Sequence, residues 1–283
     1  MSYAICSISI VPVRTGSSHS SEMASQLLFG ELVEVLETKG RQWMKVRCAH
    51  DNFVGWVAGN QLKAITPSEF ERFQQHFAYS LELYHPLMGE NHCIPVVMGA
   101  QFPAFDGMRF RLEEDYFTFS GQAVFPENIE ATPEFILKIA RRYLNAPFLW
   151  GGRSPMGIDS SGLVQMAFKL AGIALPREAS QQIYIGESVG FIEQALPGDI
   201  AFFENKAGRI AHCGIILPNN EVLHAYGRVR VDVLDHYGIF NKKQSRYTHS
   251  LRVVKRILAG KTEPKAAPAV VPEKVANQVQ LFD

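Results

Sequence analysis

A change of hydrophobic pattern near residue 131 constrains the fold of this chain more than any other feature. Upstream of it, short runs such as residues 31–36 and 43–47 alternate apolar and polar side chains, which is the period of β-strands. Downstream, apolar residues recur at helical spacing over residues 135–143, and a second helical stripe begins near Ser160. The sequence therefore predicts an all-β part followed by a part that begins with helices.

The all-β part divides into two predicted barrels joined by a helical segment. Strand-like runs separated by Gly, Asp and Asn turns are typical of a small closed barrel, which is predicted over residues 1–64. Thr66 and Pro67 have the chemistry of a helix start, so a helical linker is predicted over residues 65–80. Further strand-like runs predict a second, more divergent barrel over residues 81–130.

The part that follows is predicted to be one α+β domain over residues 131–258. Its two helices come first, and short apolar runs typical of antiparallel strands come after them. Gly172 stands where the second helix should end. Proline, alanine, lysine and glutamate dominate residues 259–283, which predicts an extended or disordered tail.

Composition narrows the class of protein. The chain carries 28 Lys+Arg and 28 Asp+Glu, so it lacks the basic excess that is typical of non-specific nucleic-acid binding. No apolar stretch approaches the roughly 18 residues that cross a bilayer, and the first residues show no export signal. We expect a cytoplasmic protein that binds neither nucleic acid nor membrane; its oligomeric state is unknown from the sequence.

The cysteines give no indication of a metal centre. They form no CxxC pair and no zinc-ligand spacing, so we expect them to be reduced residues of the core. The four are Cys6, Cys48, Cys93 and Cys213. No metal and no organic cofactor is predicted.

The most informative segment is the one that contains Trp150-Gly151-Gly152 and then Asp159-Ser160-Ser161-Gly162. Further blocks follow it in order, at residues 175–182, 197–199, 211–215 and 224–227. Together these blocks resemble the NlpC-type peptidases, which are papain-like cysteine hydrolases that cut γ-D-glutamyl bonds in bacterial cell-wall peptides. The first 64 residues resemble a bacterial SH3-type domain, through residues 26–31, Trp43 and Gly55-Trp56-Val57.

The resemblance implies a fold, a reaction and a set of site residues. The implied fold class is α+β, a papain-like catalytic domain preceded by two small all-β SH3-type barrels. The implied substrate is a free cell-wall peptide with an unblocked N-terminal L-Ala, L-Ala-γ-D-Glu-diamino acid, which is cut after γ-D-Glu. Ser160 occupies the position of the nucleophilic cysteine, His212 that of the general base, and His224 that of the polar third member.

Serine at position 160 departs from the family pattern. A thiol at a helix N-terminus beside an imidazolium can have its pKa lowered to about 3.5–7.5, so the thiolate is populated at neutral pH. A serine hydroxyl is a much weaker acid and must lose its proton during the attack itself. We interpret Ser160 as a cysteine that was replaced or naturally lost, which silences the enzyme; a working serine nucleophile is the alternative.

The two site histidines are predicted to project from one face of a hairpin. Residues 217–221 read as a tight reversal, and pairing centred near Asn219 gives His212 and His224 the same parity, as diagonal neighbours about 7–8 Å apart. Cys213 then points to the other face as a buried residue. The remaining histidines are expected to be solvated: His19, His50, His76, His85, His92, His236 and His249.

Several residues around the nucleophile are implied to bind substrate. Asp159 and Ser161 would contact the free amino end and the γ-D-Glu unit, although Asp159 also suits an N-cap. Arg177 would bind a substrate carboxylate with its two-pronged guanidinium, unless it is an ordinary surface arginine. Ser180 belongs to the same predicted binding set, and Trp150 either forms a wall of the cleft or packs in the core.

The first barrel is implied to restrict the cleft to peptides with a free amine. Glu22 occupies the position of a glutamate that serves this purpose, and Phe53 that of a tyrosine whose hydroxyl is absent here. An acid that faces an ammonium group discriminates against a blocked amine, which would leave the charge unpaired.

Two other functions compete with the endopeptidase. One is a non-catalytic module that binds cell-wall peptides and has naturally lost its nucleophile. The other, which we favour less, is a general amidase that acts on a different acyl substrate.

Overall fold

The computed structural model describes residues 2–112 and 114–258. The tail predicted for residues 259–283 lies outside the described residues. Among the helices of the two described ranges, none has the length and apolar character that spanning a bilayer would take.

The first barrel is a seven-stranded antiparallel sheet wrapped around an aliphatic core. Its strands are β1 (Ser2–Cys6), β2 (Ile10–Arg14), β3 (Met23–Leu28), β4 (Leu32–Lys39), β5 (Trp43–Cys48), β6 (Val54–Ala58) and β7 (Leu62–Ile65). They are arranged in the order β3-β2-β6-β5-β4-β1-β7. Alternation along the strands buries Val11, Val13 and Val46 completely, which is what the period-two pattern predicts.

Helix α1 (Pro67–Gln75) leads from the first barrel to the second β unit. Thr66 accepts a hydrogen bond from the Glu69 backbone N–H, and the Glu69 carboxylate accepts one from the Thr66 backbone N–H, which completes a capping box. The predicted helical linker extended to residue 80, but Phe77–Ser80 is a strand. The strand is more stable here than a longer helix because it buries Ala78 and Tyr79 and forms hydrogen bonds with a neighbouring strand on each side.

The second β unit consists of two small antiparallel sheets. Its strands are β8 (Phe77–Ser80), β9 (Tyr84–Met88), β10 (Cys93–Val97), β11 (Gln101–Pro103), β12 (Arg109–Leu112), β13 (Asp115–Thr118) and β14 (Ala123–Val124). The sheet orders are β10-β9-β13-β12 and β11-β8-β14. Phe29 of the first barrel packs edge-on against Phe110 and Phe117, with ring centroids 6.1 and 6.0 Å away. The two β units therefore share one aromatic core.

The C-terminal part is an α+β domain, as predicted. Its helices are α2 (Pro133–Arg142), α3 (Ser160–Lys169) and α4 (Ala179–Gln182). Its strands are β15 (Arg153–Ser154), β16 (Gly157–Ile158), β17 (Glu187–Val189), β18 (Ile200–Glu204), β19 (Ile210–Leu217), β20 (Glu221–Tyr226), β21 (Arg228–Asp235), β22 (Gly238–Asn241) and β23 (Arg246–Arg256). The main sheet has the order β17-β23-β18-β19-β20-β21-β22. Every residue of α3 is buried, and the helix packs on β19.

All four cysteines are free, and three of them are buried. The expectation that all would be core residues is wrong for Cys93, which is exposed. It begins β10, the outer strand of its sheet, which pairs on one side only among the residues that the structure describes.

A buried ion network joins the three parts of the chain. Glu31 of the first barrel pairs with Arg153 at distances of 2.8 and 2.9 Å and also accepts from Lys169 of α3. Lys169 in turn donates to the Gly99 carbonyl of the second β unit at 3.1 Å and lies over the Tyr79 ring. The side chains of the three ionised residues are almost completely inaccessible.

The charges of this network compensate one another. Burial on its own would raise the pKa of Glu31, but Arg153 and Lys169 together outweigh it and hold that pKa well below its usual range. Burial lowers the pKa of Lys169, and Glu31 opposes that shift. A buried charge is tolerated when it is paired and hydrogen-bonded, so each member depends on the others.

We expect Glu31→Gln to reduce the free energy of unfolding by about 3–5 kcal/mol, because it leaves two buried cations without a counter-charge. Urea denaturation of the whole chain measures this loss. Glu34→Gln is the matched control, since its partner Arg47 lies at the surface, and we expect it to cost at most about 1 kcal/mol. Equal losses for the two variants would contradict the role assigned to the network.

Candidate active site

Ser160 is the first residue of α3, and its neighbour Asp159 caps the helix. The Asp159 carboxylate accepts from the backbone N–H of Gly162 at 2.7 Å and from that of Gly151 at 2.8 Å. The Ser160 side chain therefore lies at the positive end of a helix dipole. This is the local setting that the sequence predicted for a nucleophile.

The loop before α3 lies directly against the first barrel. Gly151 has φ +76°, and a Cβ there would lie 2.3 Å from the Met23 carbonyl oxygen. Trp150 reaches across the same seam, and its indole N–H donates to Glu22 at 2.6 Å. Glycine at position 151 thus permits both the backbone conformation and the close approach that bring the tryptophan to the barrel.

His212 and His224 meet on the β19–β20 hairpin. The register pairs Leu217 with Glu221 and Gly214 with His224, so the reversal is centred where the sequence predicted it. His212 Nε2 lies 2.9 Å from His224 Nδ1, within hydrogen-bond distance. His212 lines the same cleft as Ser160, whereas His224 is fully buried behind it.

Two further residues continue this chain of contacts. His224 Nε2 lies 3.1 Å from Asp232 Oδ2, and Asp232 Oδ1 accepts from the Arg230 guanidinium at 2.7 Å. Neither residue was predicted from the sequence as part of the site; both belong to β21. The β20–β21 register pairs His224 with Arg230 and Val222 with Asp232, which makes Asp232 a diagonal neighbour of His224.

Two histidines that were expected to be solvated are not. His249 of β23 stacks on His212, with ring centroids 4.1 Å apart, and burial lowers its pKa to about 4. His50 has a buried Nε2 without a hydrogen-bond partner, and burial lowers its pKa to about 3. Both are buried by strands or domains that are distant in the sequence. The hydrophobic pattern of the neighbouring residues therefore could not predict their burial.

The site histidines are neutral at neutral pH. Burial lowers the pKa of His212 well below its usual value, and the nearby His249 and His224 lower it further. Burial also lowers the pKa of His224, although Asp232 opposes that shift. A neutral imidazole has a free lone pair, which is the form that a general base requires.

Within residues 2–112 and 114–258, these three imidazoles are the one cluster of side chains to be considered as ligands of a metal ion. Ring nitrogens of His212, His224 and His249 lie within 4.8 Å of one another. However, the His212 and His249 rings are nearly parallel, at 23°, so their in-plane lone pairs run side by side instead of converging. The facing nitrogens of His212 and His224 already share a hydrogen bond. The arrangement suits proton transfer better than metal binding.

A cleft of about 380 Å³ brings together most of the predicted binding residues. They are Glu22, Trp150, Asp159, Ser160, Ser161, Arg177, Ser180 and His212. Trp150 is 60% exposed, so it forms a wall of the cleft and not part of a core. Phe148 and Tyr226, which were not among the predicted site residues, complete the apolar lining.

Two of the predicted contacts have a different place in the structure. Arg177 is 2% exposed; its guanidinium donates to both Asp159 oxygens at 3.0 and 2.6 Å and to Ser161 at 2.9 Å. Its charge is therefore already neutralised by Asp159, which sequence spacing could not reveal. Phe53 is not among the residues that line the cleft; it packs against the core of the first barrel.

Cys213 is not available as a replacement nucleophile. Its side chain is fully buried, with Sγ 3.6 Å from Gln182 Oε1. Burial raises the pKa of its thiol, and the charge of Asp159 raises it further, so the thiolate is not populated at neutral pH.

Two segments of the chain match known protein families, and longer matches connect it to named peptidases. Residues 145–250 match the NlpC/P60 family, and residues 13–62 match the bacterial dipeptidyl-peptidase Sh3 domain. The gamma-D-glutamyl-L-lysine dipeptidyl-peptidase of Bacillus subtilis (strain 168) is 26% identical over 224 residues, 75% of each chain. Dipeptidyl-peptidase 6 of Lysinibacillus sphaericus is 27% identical over 243 residues, 76% of this chain and 85% of that protein.

A solved structure shows the same arrangement of domains. The crystal structure of an NlpC/P60 family protein from Bacillus cereus ATCC 10987 superposes with a TM-score of 0.77 and 18% identity, over 90% of this chain and 99% of that one. The chain thus has the fold of papain-like peptidases. It contains an NlpC/P60 domain preceded by a bacterial SH3-type domain, and these relationships support a peptidase.

We expect Gly151→Ala to destabilise the chain by more than the about 1–2 kcal/mol that a left-handed backbone costs alanine, because the new Cβ also meets the Met23 carbonyl. Urea denaturation measures the loss. Gly40→Ala is the matched control: Gly40 has φ +61° but no atom within 4 Å of an added Cβ. Equal losses at the two positions would show that the close approach has no energetic weight.

We expect the free energy of unfolding to fall as the pH drops from about 6.5 towards 4. The unfolded chain takes up protons at histidines of ordinary pKa, near 6.5, whereas folded His212, His224 and His249 resist protonation, so acid favours the unfolded state. Thermal unfolding across this range measures the slope. His249→Gln should make the slope shallower, and an unchanged slope would contradict the assignment.

Proposed function

We propose that this scaffold belongs to a γ-D-glutamyl-L-diamino acid endopeptidase that acts on free cell-wall peptides of the form L-Ala-γ-D-Glu-diamino acid. The observation that carries the proposal is one cleft shared by residue 160, at the start of α3, and by His212, which is backed by His224. Relatives named as γ-D-glutamyl dipeptidyl-peptidases support the substrate class.

The reaction is an acyl transfer. The nucleophile at position 160 attacks the γ-carbonyl carbon of D-Glu, and His212 takes the nucleophile's proton. The amide C–N bond then breaks as His212 passes that proton to the leaving amine. Water hydrolyses the acyl intermediate with His212 again as the base. Backbone N–H groups at the start of α3 stabilise the negative oxygen that forms during the attack.

Serine at position 160 reduces or abolishes this reaction in the present chain. The helix dipole that would stabilise a thiolate leaves a hydroxyl protonated, because serine is too weak an acid. His212 is neutral in the folded protein and can accept a proton, but a hydroxyl gives up its proton only during the attack itself. Ser160 is therefore a poor nucleophile in this site.

Charge in the cleft supports selection for a free amine. Asp159 is neutralised by Arg177, whereas Glu22 and Glu178 line the same cleft. Glu22 is fixed by the indole N–H of Trp150, which makes it a positioned acceptor for the ammonium group of L-Ala. An N-acetylated peptide would leave this carboxylate facing a neutral group and would bind less well.

A second function, a non-catalytic cell-wall peptide-binding module, is favoured by one observation. The cleft, the two histidines and the amine-facing glutamate are all retained, although position 160 lacks a thiol. Such a module would bind the same peptides without cutting them.

We expect Ser160→Cys to restore cleavage of L-Ala-γ-D-Glu-diaminopimelate, because a thiol at this helix start is activated where a hydroxyl is not. Release of the diamino acid, followed by chromatography, measures the activity. Ser160→Ala is the matched control and should be inactive. The N-acetylated peptide should be a poor substrate for the cysteine variant.

One outcome would decide against the endopeptidase, and a second would decide against its selection for a free amine. Peptide binding by both the parent and the Ser160→Cys chain, with cleavage by neither, would establish the binding module instead. Equal cleavage of the free and acetylated peptides would contradict the amine selection assigned to Glu22.

A further inference from the structure

The geometry points to Asp232 as a positioning residue that sets the tautomers of both site histidines. Arg230 fixes which oxygen of the Asp232 carboxylate faces His224. The inference rests on the proposed function in one respect: it assumes that His212 is the base. The observation behind it is a continuous chain of contacts from Arg230 through Asp232 and His224 to His212.

The position of each proton follows from the acceptor at the buried end of the chain. Asp232 is ionised, because Arg230 and His224 together hold its pKa below the usual value although burial opposes them. A carboxylate only accepts hydrogen bonds, so His224 must carry its proton on Nε2, which lies 3.1 Å from Asp232 Oδ2. His224 is neutral and has one N–H, so its Nδ1 is left as a lone pair.

The hydrogen bond between the two rings then fixes the tautomer of His212. His212 Nε2 lies 2.9 Å from the His224 Nδ1 lone pair and must be the donor of that hydrogen bond. We call the chain of contacts Arg230–Asp232–His224–His212 the relay. The lone pair of His212 is therefore on Nδ1, the ring nitrogen that takes no part in the relay. That is the nitrogen left to accept a proton from residue 160, which lines the same cleft. Asp232 thus controls the catalytic nitrogen through two rings.

Among the described residues, the other groups packed around these rings make no hydrogen bond to the nitrogens of His212 or His224. His249 stacks face to face on His212 and meets the His224 ring edge-on, with centroids 5.7 Å apart, while its own Nδ1 lies 2.9 Å from the Thr248 hydroxyl oxygen. Tyr226 lies parallel to His224 with ring centroids 6.5 Å apart. Phe203 contacts His212 and is apolar.

Arg230 makes the relay sensitive to an isosteric change. Its guanidinium, which can only donate, occupies Asp232 Oδ1 at 2.7 Å. In Asp232→Asn the amide oxygen must face Arg230, so the amide NH2 faces His224 Nε2. Nε2 then has to accept, the His224 proton moves to Nδ1, and His212 is left with its proton on Nδ1. The base is in the wrong tautomer, with its shape unchanged.

The test uses 15N-histidine NMR of the whole chain, in which the two ring nitrogens of a neutral imidazole have distinct shifts. We expect Nε2–H tautomers for His212 and His224 in the parent and Nδ1–H tautomers in Asp232→Asn. The double variant Arg230→Met/Asp232→Asn frees the amide to rotate and should restore the parent tautomers. Arg230→Met alone should keep them, since the carboxylate remains.

Activity provides a second readout in the Ser160→Cys background. Asp232→Asn should lower kcat by up to about 10⁴-fold, the order of loss expected of a base in the wrong tautomer, with little change in KM. Arg230→Met/Asp232→Asn should recover most of that loss, which a merely structural role of Asp232 would not predict.

The outcomes separate this inference from the proposed function. Unchanged tautomers in Asp232→Asn, or no rescue by Arg230→Met, would overturn the positioning role whatever the activity. An inactive Ser160→Cys chain whose tautomers respond as expected would instead reject the proposed reaction and leave the relay intact. The Asp232→Asn chain is folded if its backbone amide NMR spectrum matches that of the parent chain.

Discussion

The pairing of Glu31 with Arg153 and Lys169 is the interaction on which the arrangement of the molecule depends. It is buried, and its members come from the first barrel and from both sides of Ser160 in the C-terminal α+β domain. Lys169 also binds the Gly99 carbonyl of the second β unit. Because a buried charge cannot be left unpaired, the three parts are held in one relative position, and the barrel becomes a fixed side of the cleft.

The same physical rule organises the cleft itself. Arg177 neutralises Asp159 at the start of α3, and Arg230 and His224 satisfy Asp232 behind His212. The charges of Asp159 and Asp232 are thereby paired within the protein. Glu22 is instead held by the neutral Trp150 indole, and it lines the cleft. Under the proposed function, Asp159 and Asp232 support the geometry of the site, and Glu22 is the acid left to face a substrate amine.

The sequence predicted features that depend on local pattern. Alternation identified strands of the first barrel, capping chemistry identified the start of α1, and helical spacing of apolar residues identified the start of α3. Parity about Asn219 placed His212 and His224 together. Features that depend on distant pairings were missed: Asp232 lies beside His224 only through the β20–β21 register, and His249 arrives on β23. The partner of Arg177 and the strand at Phe77–Ser80 were likewise decided by tertiary contacts.

The packing of Phe29 has a consequence for how such proteins diversify. This ring belongs to the first barrel but completes the aromatic core of the next unit, against Phe110 and Phe117. A gene fragment that encodes the first barrel alone would not be an independent unit for recombination. Its removal would take Phe29 away and leave a cavity in the core of the second β unit. The two β units would therefore be exchanged between proteins only as a pair.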